Sequence, residues 1–351
     1  MNKTHQMIPV KIIVLVLVIV AIGGLFYFFL LKPRTGTDQG TSSPTTTTTP
    51  TISTTLTTQT IPTTSTSTTT VYPYSAESSD SPFFNLAYVS SHYKIYFNSS
   101  DEEAAGLLIQ AGEDVYPVDI RIYGGELPGK TMIYVFHSLE NLRELEPTHA
   151  PPVASPDSSG GAFDTFEPLG DGLKAYNLIR AGTQVDAHLL GSLKSFVAHE
   201  GGHRYFWFLY SAIRKPVRPN WLDEGIAMYA GLEVFSGNTE YGFGVARQKI
   251  SASGPTSLAS LDQLQASGDT LELFYGESAT FIQYIVGKYG EQSLRTLLSN
   301  YSQSMNLNDA FVKTFNMTQS NFEAQYDTDV QKFASQASTG TGFYELLKNS
   351  S

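Results

Sequence analysis

Phe196-Val197-Ala198-His199-Glu200-Gly201-Gly202-His203 is the stretch on which the reading turns. His199 and His203 are four residues apart. On a helix that spacing stacks both imidazoles on one face, about one turn from each other, so both can reach a single ion. Glu200 follows the first histidine and is rotated about 100° from it around the helix. It can therefore approach a water at such an ion without being a ligand. Leu189, Leu193 and Phe196 share the 3–4 spacing of the histidines, so the histidine face continues an apolar one and points inward. Gly201 and Gly202 oppose a helix by about 1 kcal/mol each relative to Ala. The pair predicts that something packs closely there, such as a neighbouring backbone.

Twenty-one residues beyond His203 lies Glu224, inside Pro219-Asn220-Trp221-Leu222-Asp223-Glu224-Gly225-Ile226-Ala227, which opens a second helical pattern. A hairpin of two helices can return this carboxylate to the same ion. Two His and one carboxylate leave a fourth position open for water, the arrangement of a catalytic zinc site rather than a structural one. Asp223 reads as a carboxylate favoured by the N-terminal end of the second helix, and Trp221 as that helix's core anchor. Tyr205, Phe206, Trp207 and Phe208 read as core packing. His92, His137 and His188 read as surface or satisfied core residues.

These motifs resemble those of the gluzincins, the thermolysin-like zinc peptidases with a glutamate third ligand, and more closely the peptidase-MA-like branch. That branch pairs a His-Glu-x-x-His helix with a Trp-Leu-x-Glu-Gly helix. Tyr275-Gly276-Glu277-Ser278 leading to Tyr289-Gly290, and Asn308-Asp309-Ala310-Phe311 followed by a last helix, are similar to its later elements. The resemblance spans about 85–335; only the two metal-bearing motifs are specific. It departs at Gly201, where a bulky residue is usual, and in lacking a Gly-x-Met-Glu-Asn-type segment. The resemblance implies a Zn2+ cofactor held by His199, His203 and Glu224, with Glu200 as general base and a polypeptide as substrate. Relatives often stabilise the oxyanion with a downstream His, but none of the seven histidines follows His203. Tyr275, Tyr229 and Arg247 are the candidates instead, Tyr275 first. By analogy, residues 174–180 would form an edge strand that pairs with extended substrates.

Outside this region the chain reads as anchor, stalk and head. Ile12–Leu31 is a run of 20 uncharged, almost wholly apolar residues, long enough to cross the hydrocarbon core as a helix. A cleavable signal peptide is the rival, but cutting after Ala21-Ile22-Gly23 would leave a greasy new N-terminus. Two basic residues on each side of the span leave its orientation open. From Thr41 to Thr70, 23 of 30 residues are Ser or Thr. Such a segment cannot bury a core and serves as a spacer. It matches either a glycosylated stalk, which implies an extracellular head on a single-pass cell-membrane anchor, or a plain linker. Sequons at Asn98, Asn300, Asn316 and Asn349 agree weakly with the stalk. The organisation expected is 1–11 cytoplasmic, 12–31 anchor, 32–80 stalk, 81–183 α/β lobe, 184–340 helical zinc-binding lobe and 341–351 tail.

Roughly 280 residues remain for the head, enough for a sizeable core. The net charge is −11, and the first 34 residues hold four basic side chains and no acid. The acidic remainder argues against nucleic acid as a partner. With no cysteine, any metal must be held by His, Asp or Glu. The fold class expected is α+β. Strands are predicted at 92–97, 132–136 and 174–180. Helices are predicted from a capping box at Ser100-x-x-Glu103 to about Ala111 and over 138–146, with loop over 147–171. From His188 onward the pattern is helical, broken around 214–220 and 236–257. The function expected is a membrane-anchored zinc metallopeptidase. A non-catalytic zinc-binding scaffold or adhesin on a stalk is the alternative, disfavoured by the intact Glu200. A zinc hydrolase acting on a non-peptide bond is a third reading.

Overall fold

A computed structural model describes residues 74–145, 161–165, 172–176, 186–210, 219–264 and 270–350. The expected anchor and stalk lie outside them. Among the described residues no helix is long and apolar enough to cross a membrane.

The architecture is α+β. A sheet is built from β1 (Glu77–Ser78), β2 (Leu86–Val89), β3 (Tyr93–Phe97), β4 (Thr131–Phe136), β5 (Gly161–Thr165) and β6 (Gly172–Tyr176), in the order β1-β2-β3-β4-β6-β5. The central pairs β3/β4 and β4/β6 are parallel; the outer pairs are antiparallel. Side chains alternate across a strand, and here both faces are used. Tyr93, Ile95 and Phe97 of β3 join Ile133 and Val135 of β4 in the main core. Tyr96, Tyr134 and Phe136 face the other way, into a smaller cluster with Phe84, Ala87 and Leu142.

The helix after β3, α1 (Glu102–Tyr123), runs 12 residues past the expected end at Ala111. Gly112 and Pro117 are poor residues for a helix interior. Tertiary packing overrides them: Val115, Asp119, Ile122 and Tyr123 are all buried, and a Cβ at Gly112 would meet the Tyr93 ring at 2.9 Å. The expected capping box is not formed, since Asp101 is the N-cap and makes no side-chain cap bond. The helix ends at Gly124, whose left-handed backbone (φ 81°) returns its N–H to Ile120. After β4 comes α2 (Leu139–Leu145). β5 falls within the region expected as loop, and β6 covers the start of the predicted 174–180 strand.

The helical part comprises α3 (Ala187–Leu209), α4 (Asn220–Val234), α5 (Thr239–Ser253), α6 (Leu258–Leu264), α7 (Leu271–Tyr289), α8 (Glu291–Ser304), α9 (Leu307–Phe315), α10 (Gln319–Gln336) and α11 (Gly340–Lys348). α5 occupies most of the predicted 236–257 break. Its Gly242 and Gly244 weaken local propensity but serve packing: a Cβ on Gly340 would meet the Gly244 nitrogen at 2.5 Å. Residues 341–351 were expected as a tail. Instead α11 buries Phe343, Tyr344 and Leu347 against the core. α3 packs against both α1 and α4, and α4 against α7, so the helix bearing the two histidines lies at the centre of the molecule.

Candidate metal centre

α3 is launched by Asp186, whose carboxylate accepts from the Leu189 N–H at 2.8 Å. Its inner face carries His199, Glu200 and His203, all buried. α4 starts at Asn220 and is capped from outside. Asp262, on α6, accepts from the Trp221 N–H at 3.0 Å. Trp221 is 1% exposed and meets Phe281 of α7 edge-on at 5.0 Å, so it anchors α4 as expected. Gly225 permits the close approach of α4 to α7: a Cβ there would lie 2.7 Å from the Ser278 carbonyl oxygen.

These contacts bring Glu224 to the histidines. Its Oε2 lies 3.6 Å from His199 Nε2 and 3.5 Å from His203 Nε2. The two imidazoles stand at 90° to each other, ring centres 5.0 Å apart. One donor atom from each of the three residues falls within 4.8 Å of the others. The carboxylate–imidazole separations are too long for hydrogen bonds. They fit a shared ion, because four ligands about 2.0–2.1 Å from a tetrahedral centre sit about 3.4 Å from one another. Glu224 Oε2 is buried and, among the described residues, has no hydrogen-bond partner, a costly state that a cation removes. The three residues therefore fit a divalent metal ion.

Asp223 stands in the first turn of α4, as expected, and has a second role there. It is 2% exposed, and its Oδ1 accepts from His203 Nδ1 at 2.8 Å. That bond keeps the proton on Nδ1 and leaves the Nε2 lone pair for a metal. Its Oδ2 accepts from the Trp207 indole N–H at 3.0 Å, and the Trp207 ring stacks near His203 at 5.9 Å. Trp207 is thus part of the site's support rather than plain core, and its neighbour Phe208 is half exposed. A histidine ligand's second nitrogen commonly needs a carboxylate, and an Asp beside Glu224 was the available signal in the sequence.

The electrostatics follow the same geometry. Burial alone would lower the His203 pKa, but Asp223 and then Glu224 outweigh it and raise it to about 10; a metal ion at Nε2 competes with that second proton, so metal binding would release it. For His199, burial wins over Glu224 and the pKa falls. Tyr275 is pushed up, by burial first and then by Glu224 and Glu200, so its phenol stays protonated. The Tyr275 ring centre lies 6.3 Å from that of His199, and among the described residues its buried hydroxyl has no hydrogen-bond partner. The two other oxyanion candidates are engaged elsewhere. Tyr229 donates to Glu291, and Arg247 donates to the Ala337 carbonyl.

Behind α3, the close packing expected at the glycine pair is present, and it comes chiefly from side chains. A Cβ on Gly202 would meet the Tyr123 hydroxyl at 2.4 Å and Ala227 Cα at 3.4 Å; one on Gly201 would lie 3.5 Å from Asp119 Oδ2. The sequence reading missed Asp119, which is fully buried. Among the described residues the other histidines are accounted for: His92 pairs with Glu113, His137 with Asp101, and His188 packs edge-on against Phe235.

The expected substrate edge strand is corrected. β6 pairs on both sides, with β4 and β5, so it is interior. Among the described residues, β5 is the edge strand on that side of the sheet, and it packs beside α3.

Two histidines one helical turn apart, joined by a glutamate from the next helix, define a metal site of the gluzincin type. The comparison with family models agrees: the peptidase MA superfamily model matches residues 170–332. No curated protein matches the chain.

Proposed function

We propose that this chain is a membrane-anchored zinc metallopeptidase that hydrolyses peptide bonds, with His199, His203 and Glu224 holding the ion. The observation that carries the proposal is the convergence of Glu224 Oε2 on both Nε2 atoms at 3.5–3.6 Å. A zinc ion bound there supplies a Lewis acid for the substrate carbonyl and lowers the pKa of a water from about 16 to about 7.

The protein's own groups do the rest. Glu200 is buried on the face of α3 beside the first ligand. It takes the proton from the attacking water and delivers it to the leaving nitrogen. Tyr275, kept protonated by its surroundings, donates a hydrogen bond to the oxygen on which negative charge develops. Asp223 fixes the His203 ring through Nδ1. An extended polypeptide pairs along the outer edge of β5, and main-chain hydrogen bonds hold it in register beside α3. Ile12–Leu31 fixes the chain in the cell membrane, and the Ser/Thr-rich spacer holds the catalytic region outside it.

Two measurements on the full chain in detergent test this: bound zinc, and casein cleavage by wild type and Glu200→Gln. Zinc near one per chain in both, with turnover lower by about 100-fold or more in the variant, is the expected result. Undiminished turnover in Glu200→Gln would sink the mechanism.

A further inference from the structure

The sheet carries a second cleft, remote from the metal centre. It measures about 340 Å³ and sits at the carboxyl ends of β3 and β4. From Asp101, at the start of α1, to Asp119, behind Gly201, is 18 residues of helix, about 27 Å. The metal machinery does not reach this cleft.

Its position follows from the topology. β3 and β4 are parallel neighbours. The chain leaves β3 for α1, which packs on the face bearing Tyr93, Ile95 and Phe97. It leaves β4 for α2, whose Leu142 packs on the opposite face with Tyr96, Tyr134 and Phe136. Adjacent strands whose connections part to opposite faces open a crevice at their carboxyl ends, where open α/β sheets take ligands. Phe84 and Phe136, edge to face at 5.2 Å, form its apolar floor.

The polar lining selects the ligand. Asn98, Ser100 and Asp101 come from the end of β3, and His137, Asn141 and Glu144 from the end of β4. Asp101, only 9% exposed, is held in a fixed orientation. Its Oδ1 accepts from His137 Nδ1 at 3.0 Å and its Oδ2 from the Ser100 hydroxyl at 2.8 Å. Each carboxylate oxygen keeps a further lone pair. Among the described residues no Lys or Arg lines the cleft, and the first turn of α1 carries Glu102 and Glu103. Phosphates and other anions, the usual guests of such crevices, are disfavoured. Two carboxylates, two amides and an apolar floor in a side-chain-sized volume suit an alkyl chain ending in a cation.

We propose that this cleft is a binding site for an alkylguanidinium or alkylammonium group. The claim does not depend on the peptidase reading, because its readout is binding. The test is titration calorimetry on the full chain in detergent, with three probes: agmatine, blocked Gly-Arg-Gly and blocked Gly-Gln-Gly. Binding of agmatine alone assigns the site to free amines, and binding of both cationic probes assigns it to peptide side chains as well. In either case the neutral peptide does not bind. Affinity drops about tenfold in Glu144→Gln and is unchanged in Glu345→Gln, which removes the same formal charge from an exposed position elsewhere. Asp101→Asn provides a second variant, expected to weaken binding with zinc content retained. The proposal is overturned if no cationic probe binds at about 10 mM, or if Glu345→Gln weakens binding as much as Glu144→Gln does.

Discussion

Asp223 Oδ1 lies 2.8 Å from His203 Nδ1, so adjacent residues of one helix serve the same histidine from opposite ends of its ring. Glu224 faces Nε2 and Asp223 holds Nδ1. Second-sphere carboxylates of this kind are worth about 10- to 100-fold in metal affinity. Asp223→Asn is therefore expected to weaken zinc binding by about that factor in competition with a chelator dye. Trp207 emission should shift as well, since its indole N–H bonds to the same carboxylate. Wild-type affinity in the variant would remove Asp223 from the site.

Glu224 contributes one of the three metal donors. Glu224→Ala should lower zinc affinity by on the order of 100-fold or more, beyond the effect of Asp223→Asn. Metal analysis after gel filtration is the check. Stoichiometric zinc in this variant would refute the assignment.

The two glycines of the motif should respond in opposite directions. At Gly201 an added Cβ meets Asp119 Oδ2 at an ordinary 3.5 Å, so Gly201→Ala is expected to stabilise by about 0.5–1 kcal/mol through helix propensity. At Gly202 the Cβ would meet the Tyr123 hydroxyl at 2.4 Å. Tyr123 is stacked on Tyr205 and cannot easily give way. Gly202→Ala should therefore cost about 1–3 kcal/mol, and adding Tyr123→Phe should recover much of the loss. Urea denaturation of the four proteins reads this directly.

Asp119 imposes a pH dependence. Burial raises its pKa well above the usual carboxylate range, and among the described residues neither oxygen has a hydrogen-bond partner. The folded state thus holds its proton to higher pH than the unfolded state does. The pH-linked cost of the group is absent below the unfolded pKa of about 3.9 and grows as pH rises toward the folded value. Asp119→Asn should raise the Tm at pH 7 and change it little near pH 4. A gain independent of pH would show that Asp119 is ionised in the folded protein.

Tyr275→Phe separates an oxyanion role from a packing role. Loss of one such donor costs about 100- to 1,000-fold in kcat, with KM and zinc content close to wild type. An unchanged kcat would return Tyr275 to the core, where its burial alone would account for it.

What the sequence by itself determined was local. The i, i+4 histidines, the glutamate between them and the tryptophan-anchored second motif are properties of single helices, readable because helical periodicity depends only on neighbours in the chain. The alternation of Tyr93, Ile95 and Phe97 was legible for the same reason. What only the tertiary structure decided depends on segments far apart in sequence. Asp223 and Glu224 differ by about 100° around one helix, and only the crossing of α3 and α4 assigns one to the imidazole's back and the other to the ion. α1 and α5 run through Gly112, Pro117, Gly242 and Gly244 because burial against distant elements outweighs weak propensity. β5 rather than β6 forms the edge on that side because strand order is set by pairing across the sheet. The glycine pair, odd when read along one helix, makes room for Tyr123 and Asp119 of a helix about 80 residues away.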